Sequence, residues 1–306
     1  MARTEDLAGK TVVMVGASSG FGRGAAIGLV ELGANVVLAA RRGEVVEALA
    51  AELGERALPV TADITSYDDM RRLADAAVQR FGSVDVWVNN AGIGAMGFFW
   101  DIPIEDHSRV VDITLKGVIN GSHVALNLFR GQGRGTLVNI ASIDSEVPLA
   151  LQNTYAASKA GVLSLTRTLR EELRIAELDD IRVGAVLPWA IDTPWWSHAA
   201  NYTGHAPRMV AVDGPEIVVE AIIDTCIDAK ERSVGPKGKG GRISHMLFPH
   251  LTEKVSADII SRETFEKGTP VPATSGALHQ PMSGTTGIDG GVRARMERED
   301  EQRRAD

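Results

Sequence analysis

Thr11-Val12-Val13-Met14-Val15-Gly16-Ala17-Ser18-Ser19-Gly20-Phe21-Gly22 runs from a β-branched apolar stretch straight into a cluster of small residues. The first part predicts a buried strand over 11–16, and the residues from 20 to 32 predict a helix. Between them Gly16, Gly20 and Gly22 permit a tight turn, which carries Ser18, Ser19 and Phe21. Such a turn lets backbone N–H groups approach a pyrophosphate at the positive end of the following helix. The spacing is G-x-x-x-G-x-G rather than the G-x-G-x-x-G of many dinucleotide sites. Glycines also serve ordinary strand-to-helix turns, so the string gains its meaning from what surrounds it.

Outward from this turn the chain keeps alternating. Strands are expected over 35–40, 57–61, 84–90, 136–141 and 181–187, with helices over 44–53, 66–81 and from near 153. Strands that read as continuous apolar runs are those buried on both faces. Strands joined by crossover helices run parallel, with right-handed connections. The fold class is therefore α/β, a doubly wound parallel sheet with helices on both faces. Past Pro188 the pattern loosens into a Trp- and His-bearing loop over 189–214, then a helix over 215–229 and a short strand over 231–235. Ile243, Met246, Leu247, Leu251, Val255 and Ile259 form a helical stripe over 243–262. Residues 269–292 are rich in Pro, Gly, Ser and Thr and read as extended. Residues 293–306 hold five basic and five acidic side chains and read as solvated or frayed.

Composition narrows the function. The 306 residues are 44% apolar and 24% charged, an ordinary globular balance that excludes disorder across the chain. A net charge of −8 argues against a grip on nucleic acid phosphates. Cys226 is the single cysteine, so no intrachain disulfide forms. The seven histidines lack zinc-ligand spacing, and no metal is expected. No apolar run reaches about 18 residues, so no membrane span is expected. Residues 1–10 carry acids and lack the apolar stretch of a signal peptide, which points to a cytoplasmic location.

The second strand ends Ala39-Ala40-Arg41-Arg42. NAD-preferring sites place an acid there for the ribose 2′-hydroxyl. Here two arginines follow an alanine, and a guanidinium fork suits a 2′-phosphate. A solvated pair at the start of a surface helix is the plainer alternative. NADP(H) is favoured over NAD(H).

After the strand over 136–141 comes Ser142, and thirteen residues later Tyr155-Ala156-Ala157-Ser158-Lys159. Tyr155 and Lys159 share one face of a helix. A nearby ammonium favours the phenolate and is expected to lower the tyrosine pKa toward a useful range. A hydroxyl at the strand end can hold a substrate oxygen as charge develops on it. A lone Y-x-x-x-K is common, and its plain reading is a surface pair; the serine and the glycine turn make the combination specific.

Together these motifs resemble the short-chain dehydrogenase/reductase family, of the NADP-preferring type and with an extended C-terminal tail. The resemblance covers about 7–235, and it adds Asp63, Ile64 and Asn89-Asn90-Ala91-Gly92 to the match. It implies a Rossmann-type sheet and hydride transfer between a nicotinamide and a carbonyl or alcohol carbon. Tyr155 is then the acid in reduction, Ser142 orients the substrate oxygen, and Lys159 also binds the nicotinamide ribose. Asp63 and Ile64 lie along the adenine, and Asn90, Ala91 and Gly92 along the adenosine and ribose. Pro188, Ile191 and Thr193 match contacts to the nicotinamide end. Asn89 braces the central strands as a structural alternative. Three departures stand out: Val15 replaces a threonine; Thr114, the fourth catalytic residue expected, replaces an asparagine that supports a water relay to the lysine; and Trp189 replaces a glycine.

This resemblance divides the chain into a single dinucleotide-binding catalytic domain over 1–240, a helical extension over 241–268, and a tail over 269–306 that is mobile at its end. Pocket walls are expected from 94–99, 144–149, Trp189 and the loop with Trp195, Trp196 and Tyr202, with Asp144, Leu149, Trp189 and Trp195 the chosen contacts. They suit an apolar or ring-bearing carbonyl compound; loop core is the competing role for the aromatics. Family analogy implies a homo-dimer or homo-tetramer. Two rival functions keep the same scaffold: a catalytically silent cofactor-binding regulator, and an epimerase or dehydratase.

Overall fold

In the computed structural model, which describes residues 2–305, alternate residues of the first strand enter two different cores. Val12 and Met14 face one, Val13 and Val15 the other. That is the strand period of two, and it requires helices on both sides of the sheet. Along the chain, the elements to the sheet centre are α1 (Ala2–Leu7), β1 (Thr11–Val15), α2 (Gly20–Glu31), β2 (Asn35–Ala40), α3 (Gly43–Leu53), β3 (Ala57–Thr61), α4 (Tyr67–Phe81) and β4 (Val86–Asn89). There follow β5 (Ala95–Met96), α5 (Ile104–Val111), α6 (Gly117–Gln132), β6 (Gly135–Ile140), α7 (Asn153–Ile175) and β7 (Ile181–Pro188). The last are α8 (Trp195–His198), β8 (Ala200–Asn201), α9 (Glu216–Asp228), β9 (Glu231–Val234), α10 (Pro236–Leu247), α11 (Pro249–Ser261) and α12 (Val292–Ala305).

Seven strands form one parallel sheet in the order β3-β2-β1-β4-β6-β7-β9, and β5 pairs with β8 in a separate two-residue ladder. The order reverses beside β1, where the chain leaves the β3 edge and returns through α4 to β4. Ligands of doubly wound sheets bind outside the carboxyl ends of the strands at such a reversal. Leu29 of α2, Leu49 of α3 and Ile222 of α9 fill one core; Met70 of α4, Phe129 of α6 and Leu173 of α7 fill the other. No described helix is long and apolar enough to cross a membrane.

Behind the reversal lies a buried polar clamp. The Trp87 indole N–H donates to Asn89 Oδ1 at 2.9 Å, and Asn89 Nδ2 donates to Asn139 Oδ1 at 2.9 Å and to the Ser122 hydroxyl at 3.1 Å. Asn139 Nδ2 continues to the Thr166 hydroxyl at 2.9 Å. Gly121 makes room for it, since a Cβ there would stand 2.1 Å from Asn89 Oδ1. Asn89 is thus the brace of the central strands.

Three segments differ from the sequence pattern. The α5 and α6 crossover was unsignalled because Gly97, Pro103, Gly117 and Gly121 dilute its apolar period; a π turn over Asp112–Lys116 joins the two helices. The stripe over 243–262 is cut at Pro249 into two helices, and Ile243, Met246, Leu247, Leu251, Val255 and Ile259 are all exposed while Ile260 is buried. Residues 293–305, expected to be solvated or frayed, belong to α12, which buries Val292 and is tied to the body through Arg208. The Arg208 guanidinium, 2% exposed, pairs with Glu299 and with Asp300 at 2.7 Å, so these two acidic residues of the tail have fixed partners. Asp306 lies outside the described residues.

Asn89→Ala should lower stability by about 3 kcal/mol, because it strands the buried donor of Trp87 and an acceptor on Asn139. Urea denaturation measures it; a loss under about 1 kcal/mol would mean that the clamp is not structural.

Candidate active site

The glycine turn places the N-terminus of α2 at the mouth of the reversal. Gly16 has φ +92, and a Cβ there would lie 2.8 Å from the Ala91 nitrogen. At Gly22 a Cβ would meet the Gly16 carbonyl oxygen at 2.1 Å, so this glycine permits helix and turn to touch. The Asn90 amide closes the arrangement by donating to the Gly16 carbonyl at 2.9 Å. Gly16, Ser18, Ser19, Gly20 and Phe21 line a continuous cleft, while Gly22 supports the turn from behind.

At one end of that cleft stand Arg41, Arg42, Asp63 and Ile64. Arg42 Nη2 donates to the Ser18 hydroxyl at 3.0 Å. Asp63 accepts from the Thr65 hydroxyl and pairs with Arg109 at 3.3 Å; burial raises its pKa, but these hydrogen bonds and the two arginines more than offset it and leave the carboxyl below its ordinary range. Neither Arg41 nor Arg42 is a freely solvated side chain. Arg41 Nη2 donates to the Ala277 carbonyl at 2.7 Å and Arg42 Nη1 to that of Gly284 at 3.1 Å, contacts that residues 40–42 do not foretell.

The other end gathers Ser142, Tyr155 and Lys159. Ser142 follows β6 and caps a short turn, accepting from the Asp144 N–H at 3.1 Å. Tyr155 and Lys159 project from the first turns of α7, and both line the cleft. Lys159 Nζ donates to the Ile140 carbonyl at 2.6 Å and lies 5.8 Å from the Tyr155 ring centroid. Burial pushes the Lys159 ammonium down to about 8, with Asp144 opposing. Burial raises the Asp144 carboxyl to about 7, with Lys159 opposing. For Tyr155, burial and then the Asp144 charge push the phenol up, and the Ser142 hydroxyl opposes them. This corrects the expectation that Lys159 lowers the phenol pKa: in so dry a site desolvation dominates, and the site holds Tyr155 as a protonated donor.

Asn90, Ala91, Gly92, Pro188, Ile191 and Thr193 line the same cleft. Thr114 does not reach it. Fully buried, its hydroxyl accepts from the Ile93 N–H at 3.1 Å and donates to the Ile93 carbonyl at 2.7 Å, which holds the chain after Gly92 in place. At the expected water-relay position the Thr114 hydroxyl is thus engaged in a clasp with the Ile93 backbone.

Asp144, Leu149, Trp189 and Trp195 all line the cleft beside Tyr155, and the Trp195 and Tyr155 ring centroids are 5.2 Å apart. Trp189 lines the cleft and also packs under the loop, against the cluster of Leu149 and Trp196. Phe98 and Tyr202, two other expected walls, are elsewhere. Phe98 stacks outward on Trp100 and Phe265, and the Tyr202 hydroxyl bonds Asp106. Trp196 lines the cleft as expected, while its mostly buried indole donates to the Ile191 carbonyl at 2.8 Å. Gln152 and Met209 complete the wall, and Ala277, Pro281 and Met282 of the tail join it; none carries a motif that could have marked it in advance.

Comparison with known proteins gives a consistent picture. The sequence model of the family described as short chain dehydrogenase matches residues 10–202. The uncharacterized oxidoreductase YxnA of Bacillus subtilis is 32% identical over 289 residues, covering 92% of this chain and 81% of its own. The 3beta-hydroxysteroid dehydrogenase 1 of Eggerthella lenta is 40% identical over 196 residues, 62% of this chain and 74% of that protein. The crystal structure of 3-ketoacyl-(acyl-carrier-protein) reductase from Brucella melitensis complexed with NADH superposes with a TM-score of 0.66 at 31% identity, covering 74% of this chain and 97% of that one.

Thr114→Val keeps the side-chain shape but leaves both Ile93 backbone groups unpaired, so stability should fall by about 2 kcal/mol. Chemical denaturation checks this, and an unchanged midpoint would show that water replaces the clasp.

Proposed function

The chain belongs to the short-chain dehydrogenase/reductase family and is an oxidoreductase of hydroxyl or carbonyl groups; from that premise we propose that it is an NADP(H)-dependent enzyme acting on an apolar or ring-bearing carbonyl or secondary alcohol. The observation that carries this reading is the convergence of Ser142, Tyr155 and Lys159 at one end of a cleft whose other end holds Arg41 and Arg42. The lining fits a dinucleotide. A helix N-terminus and two serines suit phosphates, Asp63 and Ile64 an adenine, and Lys159 a ribose. When bound, the nicotinamide supplies or accepts the hydride.

The protein's own residues do the rest. Tyr155, kept protonated by its dry surroundings, donates the phenolic proton to the carbonyl oxygen in reduction and recovers it in oxidation. Ser142 holds that oxygen as it becomes anionic. The Lys159 charge stabilises the phenolate left by the transfer. Leu149, Trp189 and Trp195 offer an apolar wall beside Tyr155 and exclude water. Preference for NADP(H) is supported by Ala40, which leaves no carboxylate to repel a 2′-phosphate, and by the two guanidinium groups beside it. The domain over 1–240, the extension over 241–268 and the tail belong to that one enzyme. A cytoplasmic homo-oligomer goes with the same reading: one cysteine leaves no intrachain disulfide, and the apolar stripe of α10 and α11 offers a face for a second copy. No specific observation favours a silent regulator or an epimerase.

Turnover of NADPH across a panel of aromatic and aliphatic ketones should drop about 1,000-fold in Tyr155→Phe. NADPH should bind at least about ten-fold tighter than NADH. Equal affinities would remove the role given to Arg41 and Arg42.

Reduction should also decline as pH rises through about 8, where Lys159 loses its charge while the phenol is still protonated. Lys159→Arg, charged throughout, should abolish that decline whatever its effect on the maximum. A pH–kcat profile that falls identically in both proteins would assign the limb to another group.

A further inference from the structure

The family match stops at residue 202, yet the segment over 276–291 lies across the cleft that begins at residue 16. It is fastened by the cleft's own polar groups. The Arg41 and Arg109 guanidinium groups donate to the carbonyls of Ala277 and Leu278, at 2.7 and 3.1 Å. Arg42 donates to the Gly284 carbonyl at 3.1 Å, and His198 and Thr285 bond side chain to side chain at 2.8 Å. The Gly20 N–H, at the helix end where a pyrophosphate would sit, donates to the Gly287 carbonyl at 2.9 Å. Ile288 rests on Gly24 of α2, where a Cβ would meet it at 3.3 Å.

Both ends of the segment are anchored. Upstream, Ala277 and Leu278 are buried in the sheet core, and His279 bonds Asp106 at 2.7 Å. Downstream, Asp192 accepts from the Val292 and Arg293 N–H groups at 2.8 and 3.0 Å and pins the start of α12. Between these anchors residues 281–285 are exposed and hold Gly284, and Pro281 and Met282 still form part of the cleft wall. A tail that merely packed for stability would bury apolar side chains along its length. This one also offers backbone carbonyls to Arg41 and Arg42 of the proposed adenosine end and to Arg109, which pairs with Asp63 there.

We propose that the segment over 276–291 is part of the cofactor site, a strap that holds the adenosine end of the dinucleotide in the cleft and governs its release. The inference rests on the reading of the cleft as a nicotinamide dinucleotide site. Carbonyls are weaker partners for a guanidinium than a phosphate is, because the phosphate carries negative charge and can accept two parallel N–H bonds from the fork. An arriving 2′-phosphate therefore draws on arginines already held in position, and the strap yields carbonyl contacts without losing its end anchors. The exposed middle, poor in buried side chains, is the part that opens at low cost.

The test reads NADPH and NADH fluorescence in equilibrium binding and in stopped-flow release. It uses the full chain, a chain ending at Ser275, and Ile288→Asp, which unseats the strap from Gly24 without touching α12. Amide hydrogen exchange on the unaltered protein provides a reading independent of variant folding. The strap predicts release about ten-fold faster in either folded variant, with a matching rise in Kd. It also predicts slower exchange over 276–291 when NADPH is added. Unchanged release in a folded Ile288→Asp variant, together with unchanged exchange in the full chain, overturns the strap while leaving the cofactor reading intact. A full chain that binds neither nucleotide overturns both.

Discussion

Two buried asparagines hold the elements of the site in register. Asn89 ends β4, immediately before Asn90, Ala91 and Gly92; Asn139 lies in β6, three residues before Ser142; and Thr166, at the end of the chain of hydrogen bonds, lies on α7 with Tyr155 and Lys159. Ser122 brings in α6 as well. A polar network in a dry interior is costly unless every member is satisfied, so it tolerates one arrangement of these elements and penalises slippage of any of them. The positions of the serine, the tyrosine and the lysine relative to the cleft floor follow from that constraint. Without it the same strands could pack with similar apolar burial and a less defined site.

Desolvation then sets the chemistry. Tyr155 and Lys159 are close in sequence and share a helix face, yet their charges are governed more by burial than by one another. The ammonium is directed to the Ile140 carbonyl, and Asp144 adds a negative charge that keeps the phenol protonated. A protonated phenol is the form that the proposed role of Tyr155 in reduction requires, because the proton is needed where a carbonyl oxygen becomes negative. Thr114 contributes at one remove, by fixing Ile93 and so the path of the chain past Gly92.

Much of this was legible in the residues. The β-branched run ending in Gly16 predicts a buried strand and a turn at a helix N-terminus, and burial on both faces follows from its lack of polar alternation. Ser142, Tyr155 and Lys159 could be named because a strand end and a helical spacing of four are local geometry. The aromatics were harder to sort. Trp195 and Trp196 reach the cleft, Trp196 while also packing in the loop core, and Phe98 faces the exterior; loop backbone with no fixed period does not reveal which way a side chain points. The crossover through α5 and α6 was hidden for a related reason, since its glycines lie where close approach to Asn89 and Ile64 demands them and so interrupt the apolar pattern.

The sequence by itself determined the doubly wound sheet, the placement of the glycine turn and the identities of the Ser142, Tyr155 and Lys159 group, because each depends on neighbours within a few residues or on a repeating pattern. Tertiary structure alone decided where the tail goes and what Arg41, Arg42 and Arg109 touch. Those contacts join residues more than 160 positions apart through backbone carbonyls, which every residue possesses and no side chain advertises. It also decided the protonation of Tyr155, since desolvation is a property of the whole surrounding volume and not of any spacing along the chain.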